Sequence, residues 1–405
     1  MIPKLTEFKN RWQFESDYTI RPGLEAVENA LRQLGNPENN LHFIHVSGTN
    51  GKGSTITFME ALLRAHGYTT ATFTSPAVTS LYDQICYNNH HSTIEQIDAA
   101  FERLKEKGLS GTLTDFELLT VIAILVFEEL SPDYVLFETG MGGLLDSTNV
   151  ITPIVSVITS IALDHTGFLG ETIEEIATHK AGIIKEHVPA VIGLMDNHAL
   201  GVIKAVAKRK EASLCIYGED FKIEDKQFTG SNTLRIGEQK MKGKHQRVNA
   251  SVAIEALFQA GIHLQEEYVQ EALASAQLAN RFEEIYPNVF LDGAHNPAAA
   301  NALKETIEEE FPGEKVDFII GMLARKDING TLDALMPVAE SFTFIDFDHP
   351  EAADSSTLMK ACQHDRKGVT KIEDGSIILI NDRNRRKVIT GSLYLLASLS
   401  IRIQS

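Results

Sequence analysis

The chain has 405 residues, of which 43% are hydrophobic and 23% charged, and its formal net charge is −18 at pH 7. This length exceeds what one hydrophobic core usually supports, so we expect two domains. The negative charge argues against a general binder of nucleic acid or of an anionic membrane, because such binders carry Lys and Arg in excess.

The N-terminus and the cysteines bear on where the protein works. Residues 1–16 are polar without an apolar signal core, and no apolar run is long enough to span a membrane. Cys86, Cys215 and Cys362 lie far apart and follow no metal-binding or redox spacing. Such thiols are typical of a reducing compartment, so we expect a cytoplasmic protein.

Strands and helices are predicted to alternate in the first part of the chain. Helices are predicted at residues 21–34, 54–66 and 116–130, and Gly67 closes the second of them. Strands are predicted at residues 41–46, 69–73, 134–137 and 154–161. Because these strands are continuously apolar, we expect a parallel sheet with helices on both faces.

A second alternation follows a polar, turn-rich segment at residues 220–244, which predicts a small hairpin. Helices are predicted at residues 246–260, from Pro297 onward and near 332–338. Strands are predicted at residues 288–291, 316–320 and 341–347. We place the boundary near residues 278–283, which gives domains at 1–280 and 281–405.

The loop between the first predicted strand and its helix has the composition of a phosphate-binding loop. It reads Gly48-Thr49-Asn50-Gly51-Lys52-Gly53-Ser54. Gly53 separates Lys52 from Ser54, and Val46 stands where the general pattern has its first glycine. The glycines still let backbone N–H groups face an anion, while Lys52 adds positive charge and Ser54 a magnesium ligand. The loop therefore predicts binding of ATP phosphates; the alternative is a glycine turn that Ser54 caps.

Polar side chains follow two more strands at the edge where ligands collect in open α/β sheets. Glu138 follows one predicted strand, and Asp164 and His165 follow the next. We expect Ser54, Glu138 and Asp164 or His165 around one cation, and oxygen ligands suit Mg²⁺. The alternatives are a solvated Glu138 beside turn-forming glycines, and an Asp164 that only caps a turn.

Lys180 falls on the apolar face of a predicted helix. Thr172 and Glu175 form a capping box that sets the start of this helix. Lys180 follows Ile176 by four residues on the apolar stripe, and an inward lysine is costly unless it is paired. Two interpretations stay open: a functional amine near the metal site, or a lysine whose head group reaches solvent.

In the second predicted domain, Asp292 and His295 follow the first strand. Asn296 before Pro297 predicts a helix N-cap and first turn. Asp292 and His295 have no such structural explanation, so they indicate a nucleotide or substrate site at the domain interface. Arg281 precedes this strand and either contacts a phosphate or forms a surface ion pair.

In order and over nearly the whole chain, these motifs resemble the folylpolyglutamate synthase and dihydrofolate synthase family, relatives of the Mur ligases. They are GTNGKGS at 48–54, TSP at 74–76, ETGMGG at 138–143, DSTN at 146–149, DH at 164–165, KAGIIK at 180–185, GKHQ at 243–246, NA at 249–250, DGAHNP at 292–297 and GSLY at 391–394. With the predicted elements, the resemblance implies an α/β fold: a P-loop parallel-sheet ATPase domain followed by a smaller Rossmann-like α/β domain.

The resemblance implies an ATP-dependent ligase. In that reaction ATP phosphorylates a carboxylate of a folate or of dihydropteroate, the amine of L-glutamate attacks the acyl phosphate, and ADP and phosphate leave. Ser54, Glu138 and His165 would hold one Mg²⁺, and Lys180 would react with carbon dioxide to give a carbamate that helps to hold a second. Catalysis would therefore depend on Lys180, His165 and Glu138. Family habit also implies a monomer.

The resemblance further implies that ATP is contacted by Asn249, Arg281, Asp292 and His295. Departures concern the other substrates: residues 77–85 lack the arginines usual in the family, and Leu144 stands where arginine is common. Ala324 and Arg325 also stand before Lys326 and Asp327, where the family has more acidic residues. The nucleotide machinery is thus expected to be kept, and the folate and glutamate contacts to be altered.

Two alternatives accompany this hypothesis. The first is a Mur-like amide ligase with a redirected acceptor, and the second is a nucleotide-binding regulator that no longer turns over. A regulator could lose its metal ligands without penalty, so the presence of Ser54, Glu138, His165 and Lys180 argues against it.

Overall fold

The computed structural model describes residues 2, 4–19, 21–77, 80–370, 376–380 and 385–404, with side chains left undescribed at 376–380 and 400–404. The chain forms two compact units. The larger unit comprises Met1–Lys240 with Arg247–Ala276, and the smaller unit comprises Met241–Gln246 with Gln277–Ser405. The predicted domain limits, 1–280 and 281–405, stay a prediction, because the division into two units does not test them. None of the helices in the described ranges has the length and apolar character of a membrane span.

The larger unit is built on an eight-stranded sheet with a separate three-stranded meander. Its helices are α1 (Leu5–Trp12), α2 (Glu25–Gln33), α3 (Lys52–Ala65), α4 (Ile94–Glu106), α5 (Asp115–Leu130), α6 (Thr166–Leu169), α7 (Ile173–Ala181), α8 (Asn197–Arg209), α9 (Lys244–Gln259, which begins in the smaller unit) and α10 (Glu266–Ser275). Its strands are β1 (Phe43–Ser47), β2 (Thr70–Phe73), β3 (Ile85–Tyr87), β4 (His90–His91), β5 (Tyr134–Glu138), β6 (Val155–Ile158), β7 (Ala190–Ile192), β8 (Leu214–Ile216), β9 (Lys222–Glu224), β10 (Gln227–Thr229) and β11 (Thr233–Arg235).

The main sheet has the strand order β4-β3-β2-β5-β1-β6-β7-β8. The six strands from β2 to β8 in that order pair in parallel, and β3 and β4 add an antiparallel edge. All five residues of β1 are buried, as expected for a strand covered on both faces. The predicted parallel sheet is confirmed, and the short hairpin of β3 and β4 is an addition to it.

The smaller unit carries a six-stranded sheet of order β12-β13-β18-β14-β15-β16 and a two-stranded pair of β17 with β19. Its helices are α11 (Pro297–Glu310), α12 (Ile328–Leu335), α13 (Ser355–Ala361) and α14 (Leu393–Ser398). Its strands are β12 (Glu283–Tyr286), β13 (Val289–Leu291), β14 (Val316–Ile320), β15 (Ala339–Ile345), β16 (Lys367–Thr370), β17 (Ser376–Ile380), β18 (Lys387–Thr390) and β19 (Ser400–Gln404). Apart from the antiparallel pair of β12 with β13, the strands of the larger sheet run parallel.

Several predicted elements differ in detail from the structure, and three of the differences concern the site or the topology. Helix α3 begins at Lys52 rather than at residue 54, because Gly51 takes the N-cap position with φ 88°. Strand β6 ends at Ile158 rather than at residue 161, because the next residues turn to bond the glycine loop: Thr49 N donates to Ser160 O over 2.8 Å. The segment at 220–244 holds the meander β9 to β11 instead of a single hairpin.

Candidate active site

The glycine loop between β1 and α3 has a shape that only glycine allows at two positions. Gly48 and Gly51 have φ values of 153° and 88°. A Cβ at Gly51 would lie 2.5 Å from Asn249 Oδ1, and a Cβ at Gly48 would overlap the hydroxyl of Thr159. Thr159 Oγ1 also donates to Asn50 O over 2.7 Å. The segment after β6 and helix α9 therefore restrict the conformation of the loop.

Lysine and serine side chains lie at the start of α3, where unpaired backbone N–H groups favour an anion. Lys52 Nζ donates to Gly48 O over 3.1 Å, and it lies 3.6 Å from Glu138 Oε1. Ser54 is buried in the first turn of the helix. Backbone N–H groups and an ammonium at one helix end make a site suited to phosphate.

Glu138 ends strand β5 and is buried, with a relative exposure of 3%. Its Oε2 accepts a hydrogen bond from Ser75 N over 3.1 Å, and the Ser75 hydroxyl donates to Thr139 O over 3.3 Å. The alternative of a solvated Glu138 is therefore wrong. A buried carboxylate facing Lys52 sits at the same sheet edge as the glycine loop, as the strand order requires.

Lys180 is buried, with a relative exposure of 4%, and its Nζ donates to Gly48 O over 2.8 Å. The alternative in which this amine reaches solvent is therefore wrong. Burial, together with the positive charge of Lys52, lowers the pKa of Lys180 to about 7. Carboxylates of Asp164, Asp146 and Glu138 oppose this shift without cancelling it. A substantial fraction of the Lys180 amine is thus neutral, and nucleophilic, near neutral pH.

Asp164 and His165 lie in the loop between β6 and α6, and both are half-buried. Asp164 Oδ1 accepts from His165 N over 2.8 Å, and His165 takes the left-handed conformation with φ 52°. That backbone conformation is uncommon for a residue with a Cβ. Within the described residues, no group of three or more His, Cys, Asp or Glu side chains is placed to hold a metal ion. A cation at this site would therefore take part of its ligands from other groups, such as hydroxyls, backbone carbonyls, water or substrate oxygens.

A buried polar chain supports the glycines after Glu138, a role that the sequence did not reveal. The Thr148 hydroxyl donates to Asp146 Oδ1 over 2.6 Å and contacts His45 Nε2 at 2.9 Å. The other Asp146 oxygen accepts from Met141 N over 2.7 Å, which fixes the glycine-rich turn. Burial, with a contribution from Lys185, lowers the pKa of His45 to about 3, so this imidazole is neutral. Two sequence features point to this chain: His45 lies in an otherwise apolar strand, and residues 146–149 form a polar run of Asp, Ser, Thr and Asn.

In the smaller unit, the turn after β13 is held by Asp292. Its two carboxylate oxygens accept from Phe282 N and Ala294 N, each over 2.9 Å. Burial raises the pKa of Asp292, and Arg281 beside it partly offsets the rise. His295 Nδ1 lies 2.8 Å from Gly293 O, so this histidine also contacts the turn. The structure thus gives Asp292 a structural explanation that the sequence did not reveal.

Asn296 caps helix α11, as predicted, since its Oδ1 accepts from Ala299 N over 2.9 Å and Pro297 follows in the first turn.

The larger unit brings together the glycine loop, Glu138, Lys180 and Asn249. The smaller unit groups Arg281, Asp292 and His295 around one turn. Of the segment at 77–85, Val78 and Thr79 lie outside the described residues.

Comparisons with known proteins agree with this arrangement. Residues 46–257 match the family described as Mur ligase middle domain, and residues 277–403 match the dihydrofolate synthetase C-terminal domain. The dihydrofolate synthase/folylpolyglutamate synthase of Bacillus subtilis is 35% identical over 96% of both chains. The folylpolyglutamate synthase of Lacticaseibacillus casei is 31% identical over 91% of both.

Solved structures give the same result and confirm the predicted fold class. Escherichia coli FolC in complex with DHPP and ADP has a TM-score of 0.85 at 28% identity, covering 98% of this chain and 96% of that one. The bifunctional enzyme of Yersinia pestis with AMPPNP and Mn has a TM-score of 0.86 at 27% identity, covering 97% and 96%. Given these likenesses over nearly its full length, the chain belongs to the folylpolyglutamate synthase and dihydrofolate synthase family.

Proposed function

We propose that the protein is an ATP-dependent ligase that joins L-glutamate to a carboxylate of dihydropteroate or of a folate through an acyl phosphate. The observation that carries the proposal is the convergence of Lys52 and Lys180 on Gly48 O, with the buried Glu138 beside them. Relatives support it: one structure holds DHPP and ADP, and another holds Mn, AMPPNP and L-glutamate.

The reaction needs two bond exchanges. The acceptor carboxylate attacks the terminal phosphorus of ATP, and the bond from that phosphorus to ADP breaks. The glutamate amine then attacks the acyl carbon, loses a proton, and displaces phosphate. In this proposal the N–H groups of the glycine loop and Lys52 neutralise the phosphoryl charge, so the chain acts mainly by positioning and electrostatics.

The site offers some of the ligands that a divalent cation needs. Glu138 and Ser54 offer the oxygen atoms that Mg²⁺ prefers, and we propose His165 as a further ligand. Such a cation would supply additional charge neutralisation at the transferred phosphoryl group. Lys180 as an ammonium would repel it, but a carbamate on the same nitrogen would attract it.

We accordingly propose that Lys180 is carbamylated. The neutral amine attacks carbon dioxide, a C–N bond forms, one C=O electron pair moves to oxygen, and the nitrogen loses a proton. The pKa of about 7 supports this step, because the neutral amine is then present at physiological pH. The carbonyl of Gly48, 2.8 Å from Nζ, holds the amine in place for this reaction.

Further parts of the proposal concern the residues that contact the nucleotide, the cell compartment and the oligomeric state. We propose that Asn249, Arg281, Asp292 and His295 contact ATP, and the approach of Asn249 to Gly51 supports this for the first. A reducing cytoplasm is supported by the three cysteines, all free thiols. A monomer, which the resemblance implies, is part of the proposal and is checked by light scattering.

A second candidate is a related amide ligase with a redirected acceptor. It is favoured by one observation, the exposed Leu144 in the turn after Glu138. A regulator without turnover is not favoured, because the lysines and Glu138 form a compact charged group that phosphate binding alone does not require.

One assay tests the proposal. The protein is incubated with ATP, Mg²⁺ and L-glutamate, with dihydropteroate or tetrahydrofolate as acceptor, and phosphate release and product mass are followed. We expect a product heavier by one glutamate residue. Lys180→Ala is expected to abolish ligation, and Lys180→Glu to keep part of it, because a carboxylate can replace the carbamate. No turnover with either acceptor contradicts the proposal, and full activity of Lys180→Ala contradicts the role of this lysine.

A further inference from the structure

Two sequence motifs end in residues to which the proposed function gives no role. Asn149 is the last residue of the DSTN run, and Lys185 is the last residue of the KAGIIK run. Asn149 lies in the short 3-10 helix Ser147–Val150 and is buried, with a relative exposure of 4%. Lys185 follows helix α7 and is half-buried. Their contacts join the segments that carry Glu138 and Lys180.

The turn after β5 lies directly on the C-terminal end of α7. Leu144 N donates to His179 O over 2.7 Å. A Cβ at Gly143 would lie 2.9 Å from His179 O and 3.1 Å from Lys180 O. A Cβ at Gly182 would lie 2.4 Å from Leu144 Cα. Because the two segments pack backbone to backbone, the turn and the helix end cannot shift independently.

The Asn149 side chain joins the same two segments through one amide group. Its Nδ2 donates to Leu144 O in the turn and to Gly182 O at the end of α7, each over 3.1 Å. Carbonyls at a helix end have no partner within the helix, so Gly182 O needs a donor from outside. The amide supplies an N–H to each carbonyl, which an ionised carboxylate of the same shape could not do.

Lys185 holds the backbone of Asn149 in turn. Lys185 Nζ donates to Asn149 O over 2.8 Å. The chain between α7 and Lys185 is itself tied to strand β6, because Ser156 Oγ donates to Ile183 O over 2.9 Å. The helix end, the Asn149 amide, its backbone and Lys185 therefore form a closed ring of contacts. We name Asn149 and Lys185 the clasp.

We propose that Asn149 and Lys185 are positioning residues for the ligation reaction, which hold the amine of Lys180 in place relative to Glu138. The inference rests on the proposed function and adds to it, since the clasp acts through other residues. The charge of Glu138 acts on the Lys180 amine, so the two groups share one site. A displacement of about 1 Å between such groups can lower a rate by about 100-fold, because the reacting atoms leave their alignment.

Lys185→Met and Lys185→Arg form a matched pair of variants. Met removes the donor to Asn149 O and keeps a long side chain, whereas Arg keeps a donor. With ATP, Mg²⁺, L-glutamate and the better of dihydropteroate and tetrahydrofolate, we expect kcat of Lys185→Met to fall about tenfold. Lys185→Arg should keep most of the activity. Lys204→Met, which removes an exposed lysine, controls for the loss of charge and should behave as the wild type.

Two further measurements separate positioning from nucleotide binding. Asn149→Ala removes both amide bonds, and we expect its kcat to fall about 100-fold. The affinity for ATP in isothermal titration should stay within about twofold of the wild type in both clasp variants, because the lost interaction serves the reaction step. A loss of ATP affinity as large as the loss of kcat would assign the clasp to nucleotide binding and overturn the inference.

Hydrogen exchange, followed by mass spectrometry, gives a result that does not depend on turnover. In Lys185→Met and Asn149→Ala, the peptide that contains the Leu144 N–H should exchange at least about fivefold faster, while peptides from strand β1 keep their wild-type exchange.

The combined results decide between the outcomes. Faster exchange throughout the larger unit, with kcat per folded molecule unchanged, shows that the clasp only stabilises the fold and overturns the inference. Faster local exchange with unchanged kcat overturns it as well, and both results leave the proposed function intact. A wild type without turnover on either acceptor refutes the inference together with the proposed function. Lys185→Met, which changes a half-buried side chain, decides the question if Asn149→Ala does not fold.

Discussion

Burying Lys180 costs the fold stability, and this cost can be measured. The pKa of this amine falls from 10.5 to about 7, a change of about 3.5 units, which corresponds to roughly 5 kcal/mol against the ammonium form. The unfolded chain holds the proton up to pH 10.5, whereas the folded chain releases it near pH 7. Stability therefore rises with pH through this window, because the unfolded state binds more protons there.

Lys180→Met removes the titrating group and keeps a flexible side chain of similar length. We expect the wild type to gain roughly 3 kcal/mol relative to this variant between pH 6 and pH 9, as the buried amine loses its proton. At pH 6 the variant should be the more stable protein, although we expect it to be inactive as a ligase. A residue kept at a cost to stability is a mark of function.

The measurement is urea unfolding followed by circular dichroism at several pH values in bicarbonate-free buffer. Lys204→Met is the matched control, because Lys204 is an exposed lysine paired with Glu219, and its curve should parallel that of the wild type. Parallel pH curves for the wild type and Lys180→Met would refute the reasoning, since they would show that the buried amine does not titrate between pH 6 and pH 9.

Two more predictions concern the glycine loop and the polar chain beneath it. Gly51→Ala should weaken ATP binding by tenfold or more, on the order of 1.4 kcal/mol, because its Cβ would meet Asn249 Oδ1; Gly67→Ala, with a similar φ of 84° and open space around it, should not. Isothermal titration of each variant with ATP distinguishes the two, and equal affinities would show that the close approach of Asn249 to Gly51 does not matter for ATP binding. Thr148→Val should lower the free energy of unfolding by about 2–4 kcal/mol, because Asp146 and His45 lose a buried partner, whereas Thr148→Ser should keep most of it. Equal stability of the two variants would show that the hydroxyl contributes nothing.

Local patterns predicted much of the larger unit. The capping box at Thr172 and Glu175 is present, and helix α5 lies within one residue of its predicted start. Glycines, a lysine and a serine in one loop indicated phosphate binding without knowledge of the fold. These features depend on residues close together in sequence, which is why they can be recognised there.

Contacts between segments that are distant in sequence could not be predicted. Asn249 approaches Gly51 from α9, and Thr159 approaches Gly48 from the segment after β6, and neither pairing leaves a periodic pattern. The structural role of Asp292 was not predicted, because a carboxylate accepting two backbone N–H groups has the same sequence signal as one facing a nucleotide. The hairpin of β3 and β4 has only three and two residues in its strands, too few to show an alternation.

The position of β18 at the centre of the smaller sheet has a consequence for biosynthesis. Strands β13 and β14 each pair with β18, which is made about a hundred residues after β13, by simple count from the chain order. On the ribosome, the strands of the main sheet in the larger unit are complete once residue 216 has emerged. The smaller sheet must wait for residues 387–390, with the edges of β13 and β14 open to wrong partners in the meantime. A stalled or truncated chain would thus carry a finished phosphate loop beside an unfinished sheet, a species for chaperones and proteases to recognise.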